Sequence, residues 1–189
     1  MNFRPLSIFA LGVLSALSSN PGWGAPPQAP AGTAEARIVK AAYVYNFTKF
    51  VEWVTEEGQQ DSTQPFIICI LGDDPIGNAL DRIPSLQAPG RPIRVLHART
   101  SEDIPLCHIL YVGTSEEPLL PRILAKVECA SVLTVSDIPR FAERGGMIGF
   151  VQDRNRVRIE INALRIRTAG LVLSSKLLEI ACLVPGGAL

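Results

Sequence analysis

Three short, nearly unbroken apolar runs constrain this chain more than anything else in it. They are Phe66–Leu71 (FIICIL), Cys107–Val112 (CHILYV) and Ser131–Val135 (SVLTV). A strand with one wet face alternates apolar and polar residues, whereas a strand apolar throughout needs cover on both faces. Segments with helical spacing lie between these runs. Buried strands alternating with helices predict a parallel α/β sheet with helices packed against it.

The remaining elements follow from periodicity and turn residues. Residues 33–55 read as one long helix, with Val39, Tyr43, Phe47, Phe50 and Val54 on one face and Thr48, Lys49, Glu52 and Glu56 on the other. Ile38 and Tyr45 point to that polar side, where they can meet a partner, and Trp53 lies on the flank. After the first strand, Gly72-Asp73-Asp74-Pro75 turns into a short helix over 76–83. Arg91–His97 reads as a strand, 118–127 as a helix and 138–143 as a helical turn. Near the end, Met147–Val151 and Arg156–Ile161 flank Gln152-Asp153-Arg154-Asn155 as an antiparallel hairpin. Val157, Ile159 and Ile161 alternate with Arg156, Arg158 and Glu160, so one face of the second strand is buried. A last helix starts at Ser174 or Ser175, either able to cap it, with Leu173, Leu177, Ile180 and Val184 as its stripe.

The opening residues carry an address. Arg4 precedes an apolar run, Leu6–Leu17, and a breaker, Ser18-Ser19-Asn20-Pro21-Gly22. This is the order of a secretory signal peptide, too short to span a bilayer. Cleavage after Gly24 leaves a Pro/Ala-rich tether over 25–32, one domain over 33–184, and a tail over 185–189. Export permits disulfides. With 18 basic and 18 acidic residues, the whole-chain charge gives no attraction to nucleic acid.

Motifs for catalysis are weak. Asp73-Asp74 ends the first strand, where parallel sheets collect ligands. A phosphoacceptor site also needs a third carboxylate after Val112 and a lysine after a later strand, and the sequence places neither there. The pair is therefore read as a solvated turn. Gly145-Gly146 precedes a strand and does not open a helix, so it is no phosphate loop. His97 and His108 have no zinc-ligand spacing, and no serine sits in a nucleophile elbow. The chain reads as a non-enzyme that needs no metal or cofactor.

The cysteines and the charge clusters carry more. If the sheet runs 2-1-3-4, Cys69 and Cys107 lie on neighbouring strands about 4.8 Å apart, within reach of a disulfide. The alternative is two buried thiols. Cys129 and Cys182 either pair with each other or stay reduced in the core. Arg154, Arg156, Arg158, Arg165 and Arg167 crowd the hairpin and its sequel, and Glu52, Glu56, Glu57 and Asp61 crowd the end of the first helix. Two solvated faces, or one polarised surface that orients a partner, both fit that pattern.

In this order the pieces resemble the YfiR family of periplasmic proteins. The resemblance is carried by Lys40–Trp53 (KAAYVYNFTKFVEW), Ile68–Gly72 (ICILG), Cys107–Val112, Leu133–Asp137, Gly146–Val151, Val157–Asn162 and Leu173–Leu178. It implies a Rossmann/flavodoxin-like α/β domain with a C-terminal antiparallel hairpin. It also implies a dimeric repressor that binds the periplasmic region of an inner-membrane diguanylate cyclase. Such a repressor limits cyclic di-GMP and biofilm formation and is relieved by an outer-membrane lipoprotein. Cys69 and Cys107 match a pair that can form a disulfide in the family. Cys129 and Cys182 do not reproduce its second bridge. The candidates for contact with a partner are Ile38, Tyr45, Lys49, Trp53, Arg154, Arg156 and Arg158. A periplasmic small-molecule-binding sensor is the alternative.

Overall fold

A computed structural model of the chain describes residues 34–53, 64–82, 87–98, 104, 107–154 and 156–185. The signal peptide and tether expected over 1–32, and Glu56, Glu57 and Asp61, lie outside them. The first helix, α1, covers Ala34–Phe50 and is followed by β1 (Val51–Trp53). Then come β2 (Phe66–Leu71), α2 (Ile76–Asp81), β3 (Gln87–Ala88), β4 (Arg91–Ala98) and β5 (Ile109–Val112). A 3-10 turn over Thr114–Leu119 leads into α3 (Leu120–Lys126), β6 (Leu133–Ser136), β7 (Ile148–Asp153) and β8 (Arg156–Ile161). The chain continues through α4 (Ala163–Thr168), β9 (Leu171–Leu173), α5 (Ser175–Glu179) and β10 (Cys182–Leu183).

The main sheet runs β10-β8-β7-β6-β5-β2-β4-β3. From β4 to β7 every neighbour is parallel, β8 turns back antiparallel on β7, and β10 runs parallel to β8. The predicted α/β class, the 2-1-3-4 strand order and the hairpin are all present. The unbroken apolar runs now have their reason. Ile68, Ile70, Ile109, Tyr111, Leu133 and Val135 face one core cluster, which holds α1. Cys69, Leu71, Leu110 and Val112 face the other, which holds α3 and Phe141.

The sequence reading needs correction in five places. First, the long helix stops at Phe50, and Val51–Trp53 pairs antiparallel with Leu171–Leu173 as a separate two-stranded sheet. Apolar spacing here fits helix or strand equally, and the long-range partner decides. Second, Thr48 is buried, its hydroxyl donating to the Tyr45 carbonyl at 2.7 Å. The buried face of α1 runs through Ala36, Val39, Val44, Phe47 and Thr48, and small or polar residues in it displace the stripe that hydropathy alone predicts. Third, α4 and β10 have no counterpart in the reading. Fourth, the last helix is five residues long, capped by Ser174, whose Oγ accepts from the Leu177 amide; Leu173 belongs to β9. Fifth, the loop of the hairpin is shorter than read, because pairing extends to Asp153↔Arg156.

His108 packs at the edge of the core. Its ring stacks on Phe66 at 4.5 Å between centroids, and its Nδ1 accepts the Ile67 amide at 3.1 Å. Burial, and then the charge of Arg91, push its pKa down to about 4. An unfolded histidine protonates near 6.5. Folding stability is therefore lost as the pH falls from about 6.5 to about 4. For a half-buried ring screened by solvent the loss is about 1–2 kcal/mol. Urea unfolding of the parent and His108→Phe at pH 7 and pH 4.5 should show a steeper loss in the parent. Equal losses would contradict this.

Candidate partner-binding surface

The carboxyl ends of β2, β5 and β6 form the place where such a sheet would take a ligand. Here that place is filled from within. Tyr111 is fully buried on β5, and its hydroxyl donates to Asp74 Oδ2 at 3.4 Å. Asp74 Oδ1 accepts the Ile76 amide at 2.9 Å. Next to them Asp137, just past β6, is ion-paired with Lys40 of α1, whose side chain is 12% exposed. Burial holds the Asp137 carboxyl above the ordinary carboxylate range even though Lys40 pulls it down. The Tyr111 phenol is pushed far up by burial and by the two carboxylates. Asp137 Oδ1 is buried with no hydrogen-bond partner among the described residues.

Glycines bring the flanking loops together over this cluster. Gly72 has φ +87°, and a Cβ there would lie 2.4 Å from Ser115 Oγ. A Cβ on Gly113 would lie 3.0 Å from the Leu71 carbonyl oxygen. The Asp73 amide donates to Ser115 Oγ at 3.1 Å, which ties the two loops to each other. Asp73 itself is exposed. The arrangement can fasten α1 to the sheet; its carboxylates are engaged by Lys40, Tyr111 and a backbone amide.

The surface features are elsewhere. Ile38 is 63% exposed on the outer face of α1. Tyr45 and Lys49 fall on the same helical face at seven and eleven residues' spacing. The Lys49 ammonium stands 4.3 Å from the centre of the Tyr45 ring. Ile38 lines a groove of ≈ 430 Å³ between α1 and α2, together with Ala34, Arg37, Pro75, Asn78, Ala79 and Arg82.

Other predicted residues land differently. Trp53 is 7% exposed and meets Phe66 edge-on at 4.9 Å, so it belongs to the interior and not to an open surface. Arg154, Arg156 and Arg158 are exposed on the hairpin, away from the groove's lining. Arg158 is ion-paired with Asp153 at 2.6 Å. Arg165 leaves the basic cluster: it is buried, 3.6 Å from Glu128. Cys69 and Cys107 form a disulfide with Cα atoms 5.8 Å apart. Cys129 and Cys182 are exposed free thiols, neither paired with each other nor in the core.

A family model, DUF4154, described as YfiR/HmsC-like, matches residues 37–182. The chain belongs to the YfiR/HmsC-like family. Membership points to a regulatory protein of the periplasm that acts in cyclic di-GMP signalling. No helix among the described residues is long and apolar enough to cross a membrane. A comparison with curated proteins finds no match. Among solved structures, the ABC domain in complex with L-Trp from Streptococcus pneumonia is similar at 12% identity and a TM-score of 0.45. That likeness covers 64% of this chain and 55% of that one. A DUF364-family protein from Pyrococcus horikoshii is similar at 13% identity and a TM-score of 0.25, over 54% of this chain and 44% of that one. The chain thus spans about half the length of each, and likenesses this distant carry the reading no further.

Sequence reasoning missed Arg37, Lys40, Arg82, Tyr111 and Asp137. For Lys40 a signal existed: it stands four residues before Val44 and seven before Phe47, both fully buried. A lysine at that spacing is held on the buried side and needs a carboxylate.

Proposed function

We propose that this protein represses a membrane diguanylate cyclase by binding the part of it that faces the periplasm. In this reading the signal peptide over 1–24 takes the chain there, the tether over 25–32 follows it, and the domain over 33–184 does the binding. One observation carries this reading: the YfiR/HmsC-like match spans nearly the whole described domain. The outer face of α1, with Ile38, Tyr45 and Lys49, and the arginines of the hairpin are the contact surfaces. A homodimer and relief by an outer-membrane lipoprotein belong to the same proposal. A small-molecule sensor draws less support, because Tyr111, Asp74 and Asp137 occupy the crevice where a doubly wound sheet would take its ligand.

Cross-linking in the periplasm of the host bacterium, followed by mass spectrometry, tests the proposal. The expected product joins this chain to a membrane protein that carries a cytoplasmic diguanylate cyclase domain. Products confined to soluble periplasmic proteins would count against it.

A further inference from the structure

The groove between α1 and α2 has two characters at once. Its floor is apolar, from Ile38, Pro75 and Ala79, and Ile38 is more exposed than any other large apolar side chain described. Its walls bring in two guanidinium groups, Arg37 from the first turns of α1 and Arg82 from the end of α2. Neither arginine makes an ion pair among the described residues. The carboxylate at the end of α2, Asp81, lies 3.3 Å from His97.

From this geometry we infer that the groove is a docking site for a protein segment that presents one large apolar side chain flanked by carboxylates. The apolar side chain covers Ile38, Pro75 and Ala79, and the carboxylates pair with Arg37 and Arg82. Two facts favour this occupant. An apolar floor alone would accept many partners, but two guanidinium groups with no ion pair among the described residues select an acidic one and reject a basic one. Arginine also binds carboxylates in a planar, two-pronged way, which fixes the direction of the segment in the groove. The inference rests on the repressor reading only for the identity of the partner, since the chemistry of the groove is independent of it.

The test places a photo-cross-linking amino acid at Asn78, in the groove wall, in the full chain expressed in its own host. The cross-linked peptide is then sequenced. The expected adduct is a peptide with an aliphatic or aromatic residue within a few positions of Asp or Glu. Arg37→Glu with Arg82→Glu should weaken the adduct at least about tenfold. That double variant should stay folded, with a melting temperature within a few degrees of the parent's, because neither side chain makes an ion pair among the described residues. Arg122→Glu, on α3 across the sheet from α1, should leave the adduct in place. If the peptide comes from a diguanylate cyclase, both the groove and the repressor reading stand. If it is an acidic, apolar segment of some other protein, the groove stands and the repressor reading falls. No adduct, an adduct to a second copy of this chain, a peptide without carboxylates, or an adduct indifferent to the double charge reversal would overturn the inference.

Discussion

Lys40→Met is expected to destabilise the folded protein by about 3 kcal/mol at neutral pH, the low end of the cost of stripping the partner from a buried charge. The Asp137 carboxylate sits largely buried past the end of β6, near the Tyr111 hydroxyl. Lys40 supplies the opposite charge that makes its ionised form tolerable. Without Lys40 the carboxylate stays buried and unpaired, or takes up a proton. This gives the effect a pH dependence whose sign can be worked out. The folded-state pKa of Asp137 is already raised by burial, and losing Lys40 raises it further. The folded variant then holds a proton that the unfolded chain has released. Stability of the variant therefore falls as the pH rises from the ordinary carboxylate range towards the folded-state value, and recovers on acidification. The double variant Lys40→Met with Asp137→Asn removes both charges and should recover most of the loss. Urea unfolding at pH 7 and pH 5 on the two variants and the parent decides this. A Lys40→Met loss below about 1 kcal/mol, the size of a surface pair, would mean that the pair does not fasten α1.

Removing the disulfide should cost as much or more. The bridge joins Cys69, in the middle of β2, to Cys107, just before β5, across a sequence separation of 38. On the chain-entropy model a loop of that size constrains the unfolded state by roughly 4 kcal/mol. Both residues are buried in the core cluster shared with Ile104, Leu120 and Ile123. Cys69→Ser with Cys107→Ser would add the burial of two hydroxyls. Cys69→Ala with Cys107→Ala is the cleaner change. The expected result is a drop of about 3–4 kcal/mol in unfolding free energy for the alanine pair, matched by the parent under reducing conditions. Alanine at Cys129 and Cys182 should change little, since both thiols are exposed and unpaired. Equal stability of oxidised and reduced parent would remove the bridge from the account.

The parts of this fold that the sequence made legible are those decided locally. Continuous apolar strands cannot lie on a surface, so Phe66–Leu71 and Ile109–Val112 had to be central, and centrality with alternating helices fixes a parallel sheet. The strand order then places Cys69 beside Cys107. The parts that were not legible depend on distant partners. Val51–Trp53 continues the apolar spacing of α1 and becomes a strand only because Leu171–Leu173 lies alongside. Trp53, placed by helical spacing on the flank of the first helix, is interior for the same reason, since Phe66 covers it only after the chain has turned back. Arg37 and Arg82 are 45 positions apart and meet only because α1 packs against α2. Arg165 reads as one more cation of a basic stretch until α4, absent from any periodicity, turns it inward toward Glu128.

In the function we propose, this chain holds down cyclic di-GMP synthesis from the far side of the membrane. The most direct measurement is cellular cyclic di-GMP in a strain lacking the gene, compared with the parent and with the same strain complemented by the full chain. Cyclic di-GMP should rise in the deletion strain, with more biofilm, and return to the parental level on complementation. Cyclic di-GMP and biofilm unchanged by the deletion would contradict it.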